Sequence, residues 1–386
     1  VALLAETPIP NSVHLMTRSL IYSALMFFVP TTILGMITPL VIKLTLQDLG
    51  RTGNVVGTIY AVSTVGAIVG TFATGFWLVS WFGTRTIVWL VAAVLLLMGI
   101  MVGSLWKSPR RGAVMGGVLL LYVLLFLARA SFQDTFLKES NYYAIKVWDI
   151  TDDKGKPVRA LTLDRIVHSY ASLDDPTYLS YPYEKIFAQF AAYQSQKSPQ
   201  VRALFIGGGG YTLPRYMDVA YPQSALEVAE IDPAVTEIAY SHMGLPRNAR
   251  VRTYNQDARI FLASRASGGG PKYDLVLGDA FNDFSVPYHL TTLEFQRMVK
   301  GEMAEDGFYV INVIDDFQKG RFLASLSQTL RQVFNTVFLV DPRGYFEGSG
   351  PGTYILVATD REYDPKPWLD VPAKGQSPIE LDLVSP

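Results

Sequence analysis

Cysteine is absent from this chain of 386 residues. Its absence excludes disulfide bonds, thiolate nucleophiles and metal sites with cysteine ligands. The four histidines, His14, His168, His242 and His289, do not show the short spacing of metal-binding helices, such as H-x-x-x-H. We therefore expect no metal cofactor.

Charged residues are scarce as well, because Asp, Glu, Lys and Arg make up only 17% of the chain, against 49% hydrophobic residues. A typical soluble domain has roughly 25% charged residues. The net charge is −1, and the chain has no basic tract. The sequence therefore does not predict the basic surface that binds nucleic acid, and nucleic acid is not an expected partner.

Four long segments contain no Asp, Glu, Lys or Arg: 19–42, 54–82, 86–106 and 112–128. About 20 apolar residues are enough to cross a hydrocarbon core of roughly 30 Å. One such segment would fit a buried helix or a signal peptide, but four in succession do not. They predict four transmembrane helices, after which the composition becomes that of a soluble domain.

These segments favour a membrane anchor over a transporter, because an ion or proton pathway needs ionisable residues inside the membrane. Gly66 and Gly70 form a G-x-x-x-G pair in the second segment, which allows close packing on partner helices or on a second copy of the chain. Because the sequence begins with Val1 and not with Met, it stays open whether further membrane helices precede it.

The rest of the chain alternates between strands and helices. A β-hairpin is predicted over 142–163, with its turn at 153–155. From residue 201 onward, apolar strands alternate with amphipathic helices, and 336–359 predicts a closing hairpin. This order predicts an α/β fold with a doubly wound parallel sheet.

Four consecutive glycines, Gly207 to Gly210, follow the first strand of the predicted sheet. Glycine allows a ligand to approach the backbone, and ligands of such sheets bind beyond the carboxyl ends of the strands. Carboxylates follow the next three strands, at Glu230, Asp257 and Asp279. The first suits the hydroxyls of a ribose and the second an adenine amino group, so the set predicts a nucleoside pocket.

NAD would use the same glycines and the same first carboxylate. Its G-x-G-x-x-G phosphate motif is interrupted here by Tyr211 and Thr212, and it does not need Asp257 or Asp279. A ligand of the S-adenosylmethionine type has no pyrophosphate and agrees better with the four features.

The same motifs occur in the same order in a known family. The segments ALFIGGGG, VAEIDPAV, NQDARIFL, YDLVLGDAFND and DGFYVINV resemble the spermidine synthase (polyamine aminopropyltransferase) family. The resemblance spans about 140 to 360, and the apolar N-terminal part is similar to membrane-fused bacterial spermidine synthase-like proteins. It implies a Rossmann-like, class I methyltransferase-type sheet of seven strands, preceded by a small β-hairpin region and the transmembrane helices.

The resemblance also implies roles for individual residues. Asp279 would be the catalytic base that takes a proton from the attacking amine. The donor, decarboxylated S-adenosylmethionine or S-adenosylmethionine, would contact Gly207, Gly208, Gly209, Glu230, Asp257 and Ala258. The amine substrate would contact Tyr142, Asp164, His168 and Asp283. Transfer of an aminopropyl group would release 5′-methylthioadenosine.

The amine pocket departs from the family pattern. The family's G-G-G-D-G-G reads G-G-G-G-Y-T here, without the Asp that contacts the amino end of the donor. The second Asp of D-S-S-D-P falls on Asn282. The family's Gln, Gly and Gln at three further positions are replaced by Tyr143, Arg165 and His168. The resemblance therefore supports nucleoside binding more strongly than amine transfer.

Three functions stay open. The first is aminopropyl transfer to an amine. The second is a catalytically inactive synthase-like subunit that acts as a membrane scaffold in a larger complex. The third is another S-adenosylmethionine-dependent transfer, such as methylation. An amine pocket filled by Arg165 or Tyr211 would favour the scaffold.

We expect an integral protein of a bacterial inner membrane, in contact with lipids, whose soluble domain is cytoplasmic because the adenosyl donor is made there. The expected regions are a transmembrane region over 1–130, a β-hairpin region over 131–198, a Rossmann-like nucleoside-binding domain over 199–362 and a C-terminal tail over 363–386.

Overall fold

The computed structural model describes residues 15–46, 48–102, 109–131, 136–280, 286–342, 351–361, 371–376 and 382–384. The end of the third predicted membrane segment, residues 103–106, lies outside this description. The chain divides into two compact units, Val1–Val91 and Ala92–Pro386.

The N-terminal apolar part is helical. Its elements are α1 (Leu15–Thr45), a 3-10 turn (Leu49–Arg51), α2 (Thr52–Ala73), a π-helical turn (Thr74–Leu78) and α3 (Val79–Val102). Helix α1 continues through Pro30 and Pro39. Just after Pro30, the hydroxyls of Thr31 and Thr32 donate to carbonyls one turn earlier, at distances of 2.6 Å. The threonine hydroxyls thus add side-chain hydrogen bonds to the carbonyls of Phe27 and Phe28, in the turn that contains the first proline.

Two helical stretches in the described part of the chain are long and apolar enough to cross a membrane, Ser19–Thr45 and Leu49–Met101. The second has 53 residues, enough for two crossings. Inside it, Gly83 leaves the helical conformation, with φ of 71° and ψ of 162°. The fourth predicted segment falls on α4 (Pro109–Ser131), whose apolar part, Gly112–Leu127, is shorter. These helices are compatible with membrane insertion, although a signal sequence or a buried core helix meets the same length and composition.

A small antiparallel sheet follows, with strands β1 (Phe136–Glu139), β2 (Ala144–Thr151), β3 (Pro157–Leu163) and β4 (Ile166–Ala171) in that spatial order. The predicted hairpin is confirmed as the pair β2 and β3, with Gly155 at positive φ in its turn. Strands β1 and β4 pair with the outer edges of this hairpin, β1 with β2 and β4 with β3.

The larger sheet contains β5 (Arg202–Ile206), β6 (Ala225–Ala229), β7 (Val251–Tyr254), β8 (Tyr273–Gly278), β9 (Met303–Asp316), β10 (Thr336–Asp341), β11 (Pro351–Thr359) and β12 (Asp382–Val384). Its helices are α5 (Pro182–Lys197), α6 (Thr212–Ala220), α7 (Pro233–Ser241), α8 (Ala258–Gly268), α9 (Leu293–Glu302) and α10 (Phe322–Arg331).

The strand order of this sheet is β12-β10-β11-β9-β8-β5-β6-β7. Strands β5 to β9 pair in parallel, and β11, β10 and β12 are antiparallel to their neighbours. The predicted seven-strand α/β sheet is confirmed, and the three-residue β12 adds a short edge strand. The strand order reverses between β5 and β8, because β6 and β7 extend the sheet on one side and β9 extends it on the other. A ligand site is therefore expected at the carboxyl ends of β5 and β8.

The two faces of the sheet are covered by different helices, because successive side chains of a strand point to opposite faces. Ala203 and Phe205 of β5 pack with residues of α5 and α6. Leu204 and Ile206 pack on the other face with residues of α8, α9 and α10. The small sheet packs on α7 through a separate buried cluster. Its loops are thereby held next to the carboxyl ends of the parallel strands.

The loops that follow β5 and β8 approach each other at Gly207. The N–H of Asp279 donates to the carbonyl of Ile206 at 2.9 Å. Gly207 has φ of 94°, and a Cβ at this position would lie 2.5 Å from the carbonyl oxygen of Asp279. Both the backbone conformation and the space therefore require glycine.

We expect Gly207→Ala to lower the free energy of unfolding by about 2–4 kcal/mol, through strain at positive φ and overpacking. Gly268→Ala is the matched control, because Gly268 lies in helical backbone with no neighbour within 4 Å of an added Cβ. The control should be neutral or stabilising by up to about 1 kcal/mol. Denaturant unfolding of both variants measures the difference, and equal stabilities would contradict the role of Gly207.

Candidate functional site

A cavity of about 330 Å³ opens at the carboxyl ends of the parallel strands. Its size falls within the range of small-molecule sites, roughly 300–1,000 Å³. Eight residues predicted for the site line it: Gly207, Gly209, Glu230, Asp257, Ala258, Asp279, Tyr142 and His168. The fold therefore brings together most of the residues proposed from the sequence.

Glu230 follows β6 and is buried against the glycine-rich turn. Its two carboxylate oxygens accept from the backbone N–H groups of Gly208 at 2.7 Å and Asp232 at 2.8 Å. Burial raises the pKa of this carboxyl above its ordinary value. Each oxygen keeps a further lone pair, so the carboxylate is fixed in orientation and can still accept hydroxyl groups from the cavity.

Asp257 caps the N-terminus of α8. Its Oδ1 accepts from the N–H groups of Arg259 and Ile260, at 2.8 and 3.2 Å. Its Oδ2 lies 2.7 Å from Nε2 of His289. The carboxylate is thus held by the helix on one side and by the imidazole on the other, and both His289 and Asp257 line the cavity.

Asp279 follows β8 directly and is held by two neutral donors. The Tyr183 hydroxyl donates to Oδ2, and Nδ2 of Asn312 donates to Oδ1, both at 2.9 Å. Tyr183 comes from α5 and Asn312 from β9, so three elements fix the position of one carboxylate. Both donors are buried.

The electrostatic environment of Asp279 suits a proton acceptor. Burial raises the pKa of this carboxyl from 3.8 to about 6, and the hydrogen bonds from Asn312 and Tyr183 partly oppose that rise. A base works best when its pKa lies near the pH of the reaction. Asp279 is therefore ionised at neutral pH and is more basic than an exposed aspartate.

The glycines of the turn serve different contacts. Gly207 and Gly209 line the main cavity, whereas Gly208 lines a smaller one behind it. The N–H of Gly208 binds Glu230, and a Cβ on Gly208 would lie 2.3 Å from the Tyr211 ring. The turn is therefore shaped by the protein's own packing as much as by any ligand.

The residues predicted to contact the amine substrate separate into three groups. Tyr142 and His168 line the cavity. Nδ1 of His168 donates to the carbonyl of Ile166 at 3.0 Å, so in the neutral ring Nε2 is an acceptor. Asp164 borders a surface groove instead, where its Oδ1 accepts from the N–H of Ala144 at 2.9 Å. Asp283 lies outside the described residues.

The two residues that could have filled the amine pocket are directed elsewhere. Arg165 is exposed and borders the surface groove beside Asp164. Tyr211 is fully buried in the core, with its hydroxyl 2.9 Å from Oγ1 of Thr236. Over the part of the chain that the structure describes, neither lines the main cavity.

Three further site residues were not predicted from the sequence: Tyr183, Asn312 and His289. Asn312 could have been identified from the sequence, because it is a polar residue inside the apolar strand FYVINVI. No sequence pattern pointed to Tyr183 or His289, since their partners Asp279 and Asp257 are distant in sequence. In the described ranges, no group of three or more His, Asp or Glu side chains could hold a metal ion.

Comparisons with known proteins agree with the resemblance seen in the motifs. No protein-family model matches the chain. Over 137 residues the chain is 35% identical to the polyamine aminopropyltransferase of Vibrio vulnificus. This alignment covers 36% of this chain and 44% of that protein. Over 119 residues it is 27% identical to the human eEF1A lysine and N-terminal methyltransferase, covering 29% of this chain and 17% of that protein.

A solved structure gives the same fold. The crystal structure of a probable spermidine synthase from Corynebacterium glutamicum aligns with a TM-score of 0.54 and 23% identity, covering 64% of this chain and 89% of that one. The predicted similarity to spermidine synthases is thus confirmed, and so is the methyltransferase-like sheet. The chain nevertheless spans less than half the length of the aminopropyltransferase that it matches.

Proposed function

We propose that this chain is a membrane-anchored, spermidine synthase-like aminopropyltransferase with Asp279 as the catalytic base. The observation that carries the proposal is the setting of Asp279, a half-buried carboxylate of raised pKa held between Tyr183 and Asn312 at the edge of the cavity. The similarity to the Vibrio aminopropyltransferase supports the reaction class.

The donor in this proposal is decarboxylated S-adenosylmethionine. Its ribose hydroxyls bind Glu230, whose carboxylate is already oriented by Gly208 and Asp232. Its adenine lies near Asp257, Ala258 and His289, which line one side of the cavity. Gly207 and Gly209 offer backbone without side chains to the rest of the nucleoside.

The chemical step is a displacement at carbon. The Asp279 carboxylate takes a proton from the ammonium of the acceptor, which then has a free electron pair on nitrogen. That pair forms the new C–N bond at the carbon next to the sulfonium. The C–S bond breaks, and its electrons stay on sulfur as 5′-methylthioadenosine leaves.

Methyl transfer from S-adenosylmethionine is the second candidate, because the chain is also similar to a methyltransferase. The scaffold alternative is less favoured, since Arg165 and Tyr211 leave the cavity open.

The apolar helices serve as the anchor in this proposal, in contact with lipid and with partner helices or a second copy. Large hydrophobic side chains of α1 to α4 are exposed, which suits a lipid environment. We place the soluble domain on the cytoplasmic side of a bacterial inner membrane, where the donor and polyamines are present.

Binding of methylthioadenosine tests the nucleoside site. We expect Glu230→Ala and Asp257→Ala each to weaken binding by about tenfold or more, because each removes a charged hydrogen-bond acceptor. Glu294→Ala is the control, since Glu294 is an exposed residue in the first turn of α9. Calorimetry on the four proteins gives the affinities. Equal affinity throughout would remove both acids from the site, and no binding to the wild type would contradict the nucleoside proposal.

Release of methylthioadenosine from decarboxylated donor and putrescine or a related amine tests the reaction. Asp279→Asn should lower the rate by about 100-fold or more while nucleoside binding is retained. The matched control is Asp149→Asn, because that carboxylate is exposed and pairs with Arg159. In the wild type, kcat/KM should fall as the pH drops below about 6, since Asp279 then becomes protonated. Failure to release product with any amine would end the aminopropyltransferase proposal.

Membrane fractionation tests the anchor. The full chain should stay in the membrane pellet after a carbonate wash and should enter solution only with detergent, because its exposed apolar helices need a hydrocarbon environment. Recovery in the carbonate supernatant would show that these helices do not insert.

A further inference from the structure

The surface groove beside Asp164 has a lining rich in hydrogen-bond donors. It is an open groove of about 540 Å³ on the small sheet, bordered by Lys146, Trp148, Thr162, Asp164 and Arg165. Lys146 and Trp148 belong to β2 and Thr162 to β3, whereas Asp164 and Arg165 form the turn between β3 and β4. We call it the sheet groove.

The side chains of the sheet groove share one face of the small sheet. Lys146 is the register partner of Thr162, and directly paired residues of antiparallel strands project to the same side. Trp148 lies two residues farther along β2 and therefore projects to that side as well. The opposite face carries Ile145 and Val147, which belong to the buried cluster that packs on α7. The groove thus lies on the face that α7 does not cover.

Four donor side chains of the sheet groove have no acceptor in the described part of the chain. Lys146 and Arg165 form no ion pair or hydrogen bond there, and the indole N–H of Trp148 has no acceptor either. The Thr162 hydroxyl also lacks a partner, although Thr162 is only 4% exposed. Because an unpartnered buried hydroxyl is costly, we expect a bound ligand to supply the missing acceptor.

The charge of the sheet groove is unbalanced as well. Elsewhere on the small sheet, Arg159 of β3 is paired with Asp149 of β2. In the groove, Asp164 faces two cations, and its Oδ1 already accepts from a backbone N–H at 2.9 Å. The lining therefore carries a net positive charge.

These features agree with a phosphate diester. Its oxygens accept hydrogen bonds and donate none, and its negative charge complements the two cations. Arginine and lysine are the side chains that most often bind phosphate oxygens. Tryptophan, lysine and arginine are also the side chains that occur where a protein meets the headgroups of a bilayer.

The chain that precedes the small sheet limits its distance from the apolar helices. Helix α4 ends at Ser131, and Leu137 of β1 is the register partner of Lys146. Ser131 and Leu137 are six positions apart, and six extended residues span at most about 20 Å. In the proposed anchor, α4 ends at the membrane surface, so Lys146 comes within reach of the lipid headgroups.

We propose that the sheet groove binds the phosphate of an anionic phospholipid headgroup, with Lys146 and Arg165 as its cations and with Thr162 and Trp148 as further donors. The inference rests on the proposed function, because it assumes that the apolar helices insert in the membrane. A lipid bound here holds the small sheet at the membrane surface. Leu163 lines the main cavity and precedes the turn of the groove, so the same contact steadies one edge of the candidate site.

Affinity for short-chain lipids tests the sheet groove on the purified full chain in an uncharged detergent. The probes are dihexanoyl phosphatidylglycerol, which is anionic, dihexanoyl phosphatidylcholine, which has no net charge, and inorganic phosphate. The wild type should bind the anionic lipid most tightly. Lys146→Gln combined with Arg165→Gln should weaken that binding by about 10- to 30-fold, because each cation adds to the attraction of an anionic headgroup.

The matched control is Arg297→Gln combined with Lys319→Gln, which removes two exposed cations outside the groove and should keep the wild-type affinity. Both double variants lose the same charge and keep the apolar helices, so lipid that adheres to those helices contributes equally. Should the groove variant fail to fold, Arg165→Gln alone, at an exposed position, replaces it.

Three results would overturn the inference. The first is equal affinity of the wild type and the groove variant for the anionic lipid. The second is inorganic phosphate that binds as tightly as the lipid, because the site would then take free phosphate. The third is a groove variant that changes the oligomeric state and not the lipid affinity, which would assign this face to a second copy of the chain.

Thr162→Val separates a ligand contact from a structural role, because it replaces the hydroxyl by a methyl group and removes an unpartnered buried donor. Without lipid, we expect the midpoint of thermal unfolding to rise by about 2–4 °C. Affinity for the anionic lipid should fall by about threefold or more. A lower midpoint with unchanged lipid affinity would show that the hydroxyl serves the fold alone and would overturn its place in the site.

The anchor and the sheet groove can fail separately. A chain that carbonate releases from the membrane, but whose groove variant still loses affinity for the anionic lipid, would keep the lipid site and lose the anchor. A chain that stays in the membrane pellet, with equal lipid affinities for the wild type and the groove variant, would keep the anchor and lose the lipid site.

Discussion

The close approach of the β5 and β8 loops at Gly207 is the constraint on which the candidate site depends. Because Gly207 has no Cβ, its backbone lies against the Asp279 carbonyl, and the N–H of Asp279 reaches the carbonyl of Ile206. This contact sets where the Asp279 carboxylate leaves the sheet. The same turn presents the N–H of Gly208 to Glu230. One glycine-rich turn therefore positions both the Glu230 and the Asp279 carboxylates at the cavity.

Three acids of this domain, Glu184, Glu230 and Asp279, are held by neutral donors. Backbone N–H groups hold Glu230, a phenol and a carboxamide hold Asp279, and a threonine hydroxyl holds Glu184. Among the described residues, none of the three forms an ion pair with Lys or Arg. Neutral donors fix orientation without cancelling charge, so burial raises the pKa of all three carboxyls. Carboxylates held in this way favour a cationic ligand over a neutral or anionic one.

The chain combines a region similar to known aminopropyltransferases with an amine pocket that departs from their motifs. The main cavity is lined by Glu230 and Asp257, the two carboxylates that the resemblance implies for nucleoside binding. On the amine side, Asp164 faces a surface groove, and the glycine-rich turn has no acid of its own. Glu184 of α5 instead places a carboxyl group in the smaller cavity, which shares Gly207 and Asp279 with the main one. Loss of an acid from one loop is thus not equivalent to loss of charge from the pocket.

The sequence by itself determined the order of strands and helices, because hydrophobic periodicity, glycine turns and capping residues act over short distances along the chain. It also located Glu230, Asp257 and Asp279, since acids that follow apolar strands lie at one edge of a parallel sheet. Only the tertiary structure decided the partners of those acids. Tyr183 and Asn312 reach Asp279 from elements 96 and 33 residues away in sequence, and no local pattern encodes such a contact. The direction of the Asp164, Arg165 and Tyr211 side chains was decided in the same way, by packing and backbone geometry that a linear motif does not contain.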